Sequence, residues 1–193
     1  MASRIPLILI DVQKGFDDRP YWGGNRNNPA MEANVARLLR AWREAGQPVI
    51  HVRHDSVLPQ SPLRLGQAGN EFKPEAQPLS EEPIFAKTVN SALIGTTLEP
   101  YLRERGYPTL VIAGLTTDHC VSTTVRMAAN LGFTVYVAED ACATFDKELW
   151  GQRIPAEEVH RVHLASLNGE FATLTSTERL LRNFVQDGRL AVD

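Results

Sequence analysis

Residues 109–131 read TLVIAGLTTDHCVSTTVRMAANL. The stretch opens with a short, unbroken apolar run, Thr109 to Ala113, which predicts a strand covered on both faces. Gly-Leu-Thr-Thr-Asp-His-Cys follows as a turn, and a small-residue helix then runs to about Leu131, where Gly132 closes it. Strand, turn and helix in that order make half of a βαβ unit, and the same rhythm continues on both sides.

Upstream, Ile5 to Ile10 reads as a buried strand stopped by the polar Asp11-Val12-Gln13-Lys14-Gly15. Asn28 is placed to cap the next helix, with Pro29 in its first turn and Gly46 after its end. Met31, Val35, Leu38, Leu39 and Trp42 share one face of it. Pro48 to Arg53 and, more weakly, Ile84 to Ala86 are strands, and Thr96-Thr97-Leu98-Glu99 resembles a capping box for a helix ending at Gly106. Downstream come a strand at Phe133 to Ala138, a helix from Pro155 to about Asn168, a strand at Phe171 to Leu174, and a final helix capped by Thr175-Ser176-Thr177-Glu178. This alternation predicts an α/β fold: a three-layer αβα sandwich with a mainly parallel, Rossmann-like sheet of about six strands, in one domain over 1–193.

The segment from Asp55 to Pro83 breaks the rhythm, with five prolines and no periodic pattern. Loops of that length are lids or binding loops, or disordered excursions; Leu63, Leu65 and Phe72 argue for some packing. The chain is 43% hydrophobic and 22% charged with a net charge of -3, the balance of an ordinary globular protein. No basic block suits nucleic acid, and no run approaches the roughly 20 apolar residues of a membrane span. Two cysteines do not make a disulfide framework, and the first residues show no cleavable signal pattern, so a reduced, cytoplasmic setting is expected.

Open parallel sheets bind ligands at the carboxyl ends of their strands. Asp11 ends the first strand, Lys87 follows the third, and Cys120 follows the fourth at the start of a helix. An acid, a base and a thiol on one rim suggest covalent catalysis. The helix dipole and a neighbouring lysine would lower the Cys120 pKa, and first-turn amides are free to hold an oxyanion. Each residue also has a plainer reading: Cys120 as an inert packed thiol, Asp11 as a turn residue, Lys87 as a surface lysine. Cys142 reads as packing, or as a partner of Cys120 in a thiol switch.

Three pieces, LILIDVQKGF around Asp11, FAKTVNSAL around Lys87, and AGLTTDHCVSTTVRMAANLGFTVYVAEDACAT around Cys120, resemble the isochorismatase-like cysteine hydrolase superfamily in order and spacing. The resemblance implies a catalytic triad of Asp11, Lys87 and Cys120 and a cis peptide at Leu115-Thr116. It also implies an oxyanion hole from the amides of Thr116 and Cys120. The implied reaction is hydrolysis of a small amide, ureide or carbamoyl compound through a thioester. The alternatives are a vinyl-ether hydrolase, in which the cysteine is incidental, and a non-catalytic binding or redox protein. A homodimer or homotetramer is implied by resemblance as well.

Neither a G-x-G-x-x-G nor a P-loop pattern is present, so no cofactor is expected. Nicotinamidases of the superfamily carry an Asp-x-His metal pattern that His51-Val52-Arg53-His54-Asp55 lacks, so no metal is expected. His51 reads as a core histidine, while His54 and His119 lie near the rim as substrate contacts; His160 and His163 read as decorating a helix face. Phe16, Tyr21, Trp22 and Asn25 follow Asp11, where they could wall a flat substrate or fill a subunit contact; Glu71 and Phe72 are candidates on the lid side.

Overall fold

The computed structural model describes residues 4–187. Its centre is a sheet of six parallel strands in the order β3-β2-β1-β4-β5-β8. These are β1 (Leu7–Ile10), β2 (Val49–His54), β3 (Ile84–Lys87), β4 (Thr109–Leu115), β5 (Thr134–Ala143) and β8 (Thr173–Thr175). A separate antiparallel hairpin joins β6 (Lys147–Leu149) to β7 (Gln152–Ile154), where the sequence reading has only a connection. The helices are a short α1 (Arg19–Trp22), α2 (Met31–Glu44), α3 (Leu98–Glu104), α4 (Ser122–Asn130), α5 (Ala156–Leu167) and α6 (Thr177–Asp187).

Helices α2 and α6 pack together on one face, and α4 and α5 pack together on the other, giving the three layers expected. Leu7 to Ile10 are buried on both faces of β1, and Leu110 to Leu115 likewise on β4, because helices cover each side of the sheet. The five predicted apolar positions of α2, from Met31 to Trp42, all point into that core.

Strands β2 and β3 lie to one side of β1, and β4, β5 and β8 to the other. The chain therefore changes direction between β1 and β4, where an α/β sheet opens a crevice at its carboxyl edge. Ile10 stands opposite Gly114 in this pairing. A Cβ on Gly114 would lie 2.0 Å from the Ile10 carbonyl oxygen, so only glycine lets the two strands close here.

Two predicted helix starts differ from the structure. Asn28 does not cap α2: its side-chain amide donates to the carbonyls of Cys142 (2.7 Å) and Glu139 (3.2 Å), bracing the end of β5 instead. Thr96 makes no reciprocal capping box with Glu99, which pairs with Arg103 at 2.8 Å, while the Thr96 hydroxyl donates to Ala92 O at 2.6 Å. The segment 55–83 is ordered by local turns and by antiparallel pairing of its residues 71–73 with residues 12–14. Leu63 and Phe72 are buried in it as expected, but Leu65 is 62% exposed.

Candidate active site

Three strand ends deliver the polar groups. Asp11 leaves β1 with a positive φ of 51°, and its side chain is fully buried. Lys87 is the last residue of β3. After β4 the Leu115-Thr116 peptide is cis, as the resemblance implied, and the chain makes a single π-helical turn, Thr117–Val121, before α4 begins. Cys120 sits in that turn rather than at the start of a regular α-helix, which corrects the sequence reading.

The side chains converge. Lys87 Nζ lies 2.6 Å from Asp11 Oδ2, 2.9 Å from His54 Nδ1 and 3.3 Å from Cys120 Sγ. Both members of the Asp11–Lys87 ion pair are 0% exposed, so the pair is dry and its charges are poorly screened. Burial alone would lower the Lys87 pKa, but the Asp11 charge and the contact with Cys120 outweigh it and hold the ammonium protonated. The thiol moves the other way from the expectation. Burial pushes the Cys120 pKa well up, the Asp11 charge adds to it, and Lys87 offsets only part, so the resting sulfur is a neutral thiol.

Cys120 and His54 border a cavity of about 200 Å³, with Asp11 and Lys87 behind them. Phe16, Tyr21 and Trp22 make one wall, with the Phe16 and Trp22 rings stacked 4.5 Å apart. The segment 55–83 contributes Ser56, Leu58, Ser61 and Leu63 to the lining. Asn90, Thr116 and His119 complete the lining. Burial keeps the His54 and His119 pKa values below the ordinary imidazole value, so both rings are uncharged at neutral pH.

Of the residues named from sequence, Phe16, Trp22, His54, Thr116, His119 and Cys120 line the cavity, and Asp11 and Lys87 stand behind it. Asn25 and Phe72 do not. The Asn25 amide is turned to Asp146 Oδ1 at 3.4 Å, and the Phe72 ring meets the edge of His51 at 5.6 Å, over a different hollow. His51 is a core residue as read, with Nε2 2.9 Å from Glu82 Oε2. His160 is not on an outer helix face: it is buried, with Nδ1 2.8 Å from Thr117 Oγ1, and it braces the turn that carries Cys120.

Sequence reasoning missed the walls of the long segment and the two amides that fix it. Gln13 accepts from His54 N at 2.8 Å and donates to Asn70 O at 2.9 Å, while Asn70 donates to Asp55 Oδ1 and Leu63 O. No motif announces them; only the nearness of Gln13 to Asp11 and of Asn90 to Lys87 offered a signal. Asp11, His54 and Cys120 offer oxygen, nitrogen and sulfur within 4.8 Å of one another, a set fit for a divalent metal. The Lys87 ammonium is hydrogen-bonded to all three, so the cationic place among them is already taken by the chain itself.

With strand ends and turn so arranged, the family model described as Isochorismatase domain matches residues 6–179. The chain belongs to the isochorismatase family. A family protein from Chromobacterium violaceum, solved by crystallography, is 50% identical, with a TM-score of 0.89 and 93% of this chain and 92% of that one covered. Isochorismatase family protein YrdC of Bacillus subtilis is 43% identical over 96% of this chain and 99% of its own. The ureidoacrylate amidohydrolase of Acinetobacter baylyi is 28% identical, with 96% and 85% covered. The isochorismatase family is hydrolytic, and the six-stranded parallel sheet flanked by helices is its fold. Among the described residues, no helix is long and apolar enough to cross a membrane.

Proposed function

We propose that this protein hydrolyses the C–N bond of a small amide, ureide or carbamoyl compound, with Cys120 as nucleophile, Asp11 as proton carrier and Lys87 as the charge that couples them. The observation that supports it most is the single ammonium of Lys87 touching both the Asp11 carboxylate (2.6 Å) and the sulfur of Cys120 (3.3 Å), which lines the cavity. The amidohydrolase among its relatives supports the choice of a C–N bond.

A neutral thiol is a weak nucleophile, so its proton must leave as the sulfur attacks. Asp11 takes that proton, and Lys87 stays protonated beside the forming thiolate. The S–C bond forms, the carbonyl oxygen becomes an oxyanion, and the backbone amides of Thr116 and Cys120 hold it. Asp11 returns the proton to the leaving nitrogen, the C–N bond breaks, and a thioester remains. Water then attacks the thioester, giving its proton to Asp11; the acid is released and Cys120 regains its hydrogen. One water is consumed, and one acid and one amine or ammonia are formed.

The deciding experiment is ammonia or amine release across a panel of small amides and ureides, with mass spectrometry of the quenched enzyme. Hydrolysis should be accompanied by an acyl adduct on Cys120, and Cys120→Ala should lose about 10³-fold or more in rate. Full turnover by Cys120→Ala would refute covalent catalysis by the thiol and favour a vinyl-ether hydrolase with an incidental cysteine.

A further inference from the structure

His54 makes a contact that the covalent steps do not use. An ammonium has three hydrogens and no lone pair, so where Lys87 Nζ meets His54 Nδ1 at 2.9 Å the imidazole nitrogen must be the acceptor. The single hydrogen of the neutral ring is then on Nε2, at its opposite edge. Among the described residues Nε2 has no protein partner, and it is not one of the sealed polar atoms; His54 itself lines the cavity. The site therefore carries an oriented N–H donor with no acceptor in the protein among the described residues. The ring it belongs to borders the reacting groups, since its other nitrogen, Nδ1, lies 4.0 Å from Asp11 Oδ2 and His54 lines the same cavity as Cys120. A donor left open in a small, half-apolar cavity favours ligands that satisfy it and disfavours isosteres that do not.

We propose that His54 is a specificity residue: Lys87 holds its ring as the Nε2–H tautomer, and that hydrogen selects amides carrying a second hydrogen-bond acceptor beside the scissile carbonyl. The proposal rests on the amide-hydrolase reading for what the substrate is, but not for how His54 is held. The charged groups facing the ring are Lys87 from β3, Asp11 from β1 and, on its own strand's end, Asp55, which Arg53 neutralises at 2.8 Å. Burial and the Lys87 charge keep the ring neutral.

The test uses benzamide and the pyridine-2-, -3- and -4-carboxamides, which share a shape and differ only in whether and where the ring bears an acceptor. Their affinities are measured on full-length Cys120→Ala, with and without His54→Leu or His54→Gln. One pyridine isomer should bind at least about tenfold more tightly than benzamide. His54→Leu should close that gap to about twofold, and His54→Gln, which keeps a donor, should retain part of it. A gap that survives His54→Leu, or no gap with His54 in place, overturns the proposal. If the active enzyme releases no ammonia or amine across the whole panel of small amides and ureides while the gap follows His54, the amide-hydrolase reading falls and the role of His54 stands. Should His54→Leu fail to fold, ¹⁵N NMR of histidine-labelled protein decides: the Nε2–H tautomer at pH 7 supports it, and the Nδ1–H tautomer or an imidazolium overturns it.

Discussion

The Lys87 ammonium has three hydrogens and three acceptors around it, Asp11, His54 and Cys120. That saturation is what allows a lysine with a fully buried side chain to remain charged, because each hydrogen replaces a bond that water would have made. It also fixes the sign of an experiment on the thiol. The negative charge of Asp11 raises the Cys120 pKa and the charge of Lys87 lowers it. Asp11→Asn removes the first and weakens but does not remove the second, since the Cys120 contact still favours the ammonium, so the thiolate fraction at neutral pH should rise and iodoacetamide should label Cys120 several-fold faster, on the order of tenfold. Peptide mapping separates this from Cys142, which is wholly buried. An unchanged rate would mean that burial alone sets the thiol. The positions of Asp11, Lys87 and Cys120 were legible in the sequence because each lies at or just beyond the carboxyl end of a strand. The neutral thiol was not, since helix-end arguments take no account of how deeply the sulfur lies.

At the scale of elements, the segment 55–83 owes its place to two carboxylates, Glu82 within it and Glu32 of α2 outside it. Glu82 pairs with Arg43 of α2 at 2.7 Å and with His51 of β2 at 2.9 Å; Glu32 of α2 meets Lys73 of the segment at 3.1 Å and Arg26 at 2.5 Å. Burial raises both pKa values, but the arginine bonds dominate and bring each down from 4.5 to about 2. Folded pKa values below the unfolded ones mean stability that is fully present above about pH 4.5 and lost as pH falls toward about 2. Hydrogen exchange at decreasing pH should therefore show this segment opening before the sheet. Glu82→Gln should weaken it already at neutral pH, by about 1–3 kcal/mol. Opening of sheet and segment together would refute a separate grip. None of this was readable beforehand. A run with five prolines has no period from which to infer contacts, and its anchors, Gln13 and Asn70, act through single amides rather than motifs. Asn28 shows the same limit in reverse: its sequence context suits a helix cap, yet two buried carbonyls at the end of β5 claim its side chain.

For the whole molecule, alternation of apolar runs and amphipathic helices was enough to foresee layers and parallel strands, but not which strands are neighbours. That order depends on contacts distant in sequence. The junction of β1 with β4 is the critical one, since it sets Asp11 and the Cys120 turn on opposite sides of one crevice. Gly114 marks where these strands come closest, with φ of 133° and the Ile10 carbonyl oxygen 2.0 Å from where a Cβ would stand. The clash is with backbone, which cannot swing aside as a side chain would. Gly114→Ala should therefore cost about 3 kcal/mol or more in urea unfolding and misalign the two halves of the site. Gly106→Ala is the control. Its φ of 65° is also left-handed, but nothing lies within 4 Å of the added carbon, so it should cost only about 1–2 kcal/mol and spare hydrolysis. Equal losses from the two substitutions would show that conformational strain, rather than the approach of β4 to β1, is what Gly114 relieves. Unequal losses, with activity falling only for Gly114→Ala, would tie the spacing of two central strands to the 3.3 Å between Lys87 and Cys120.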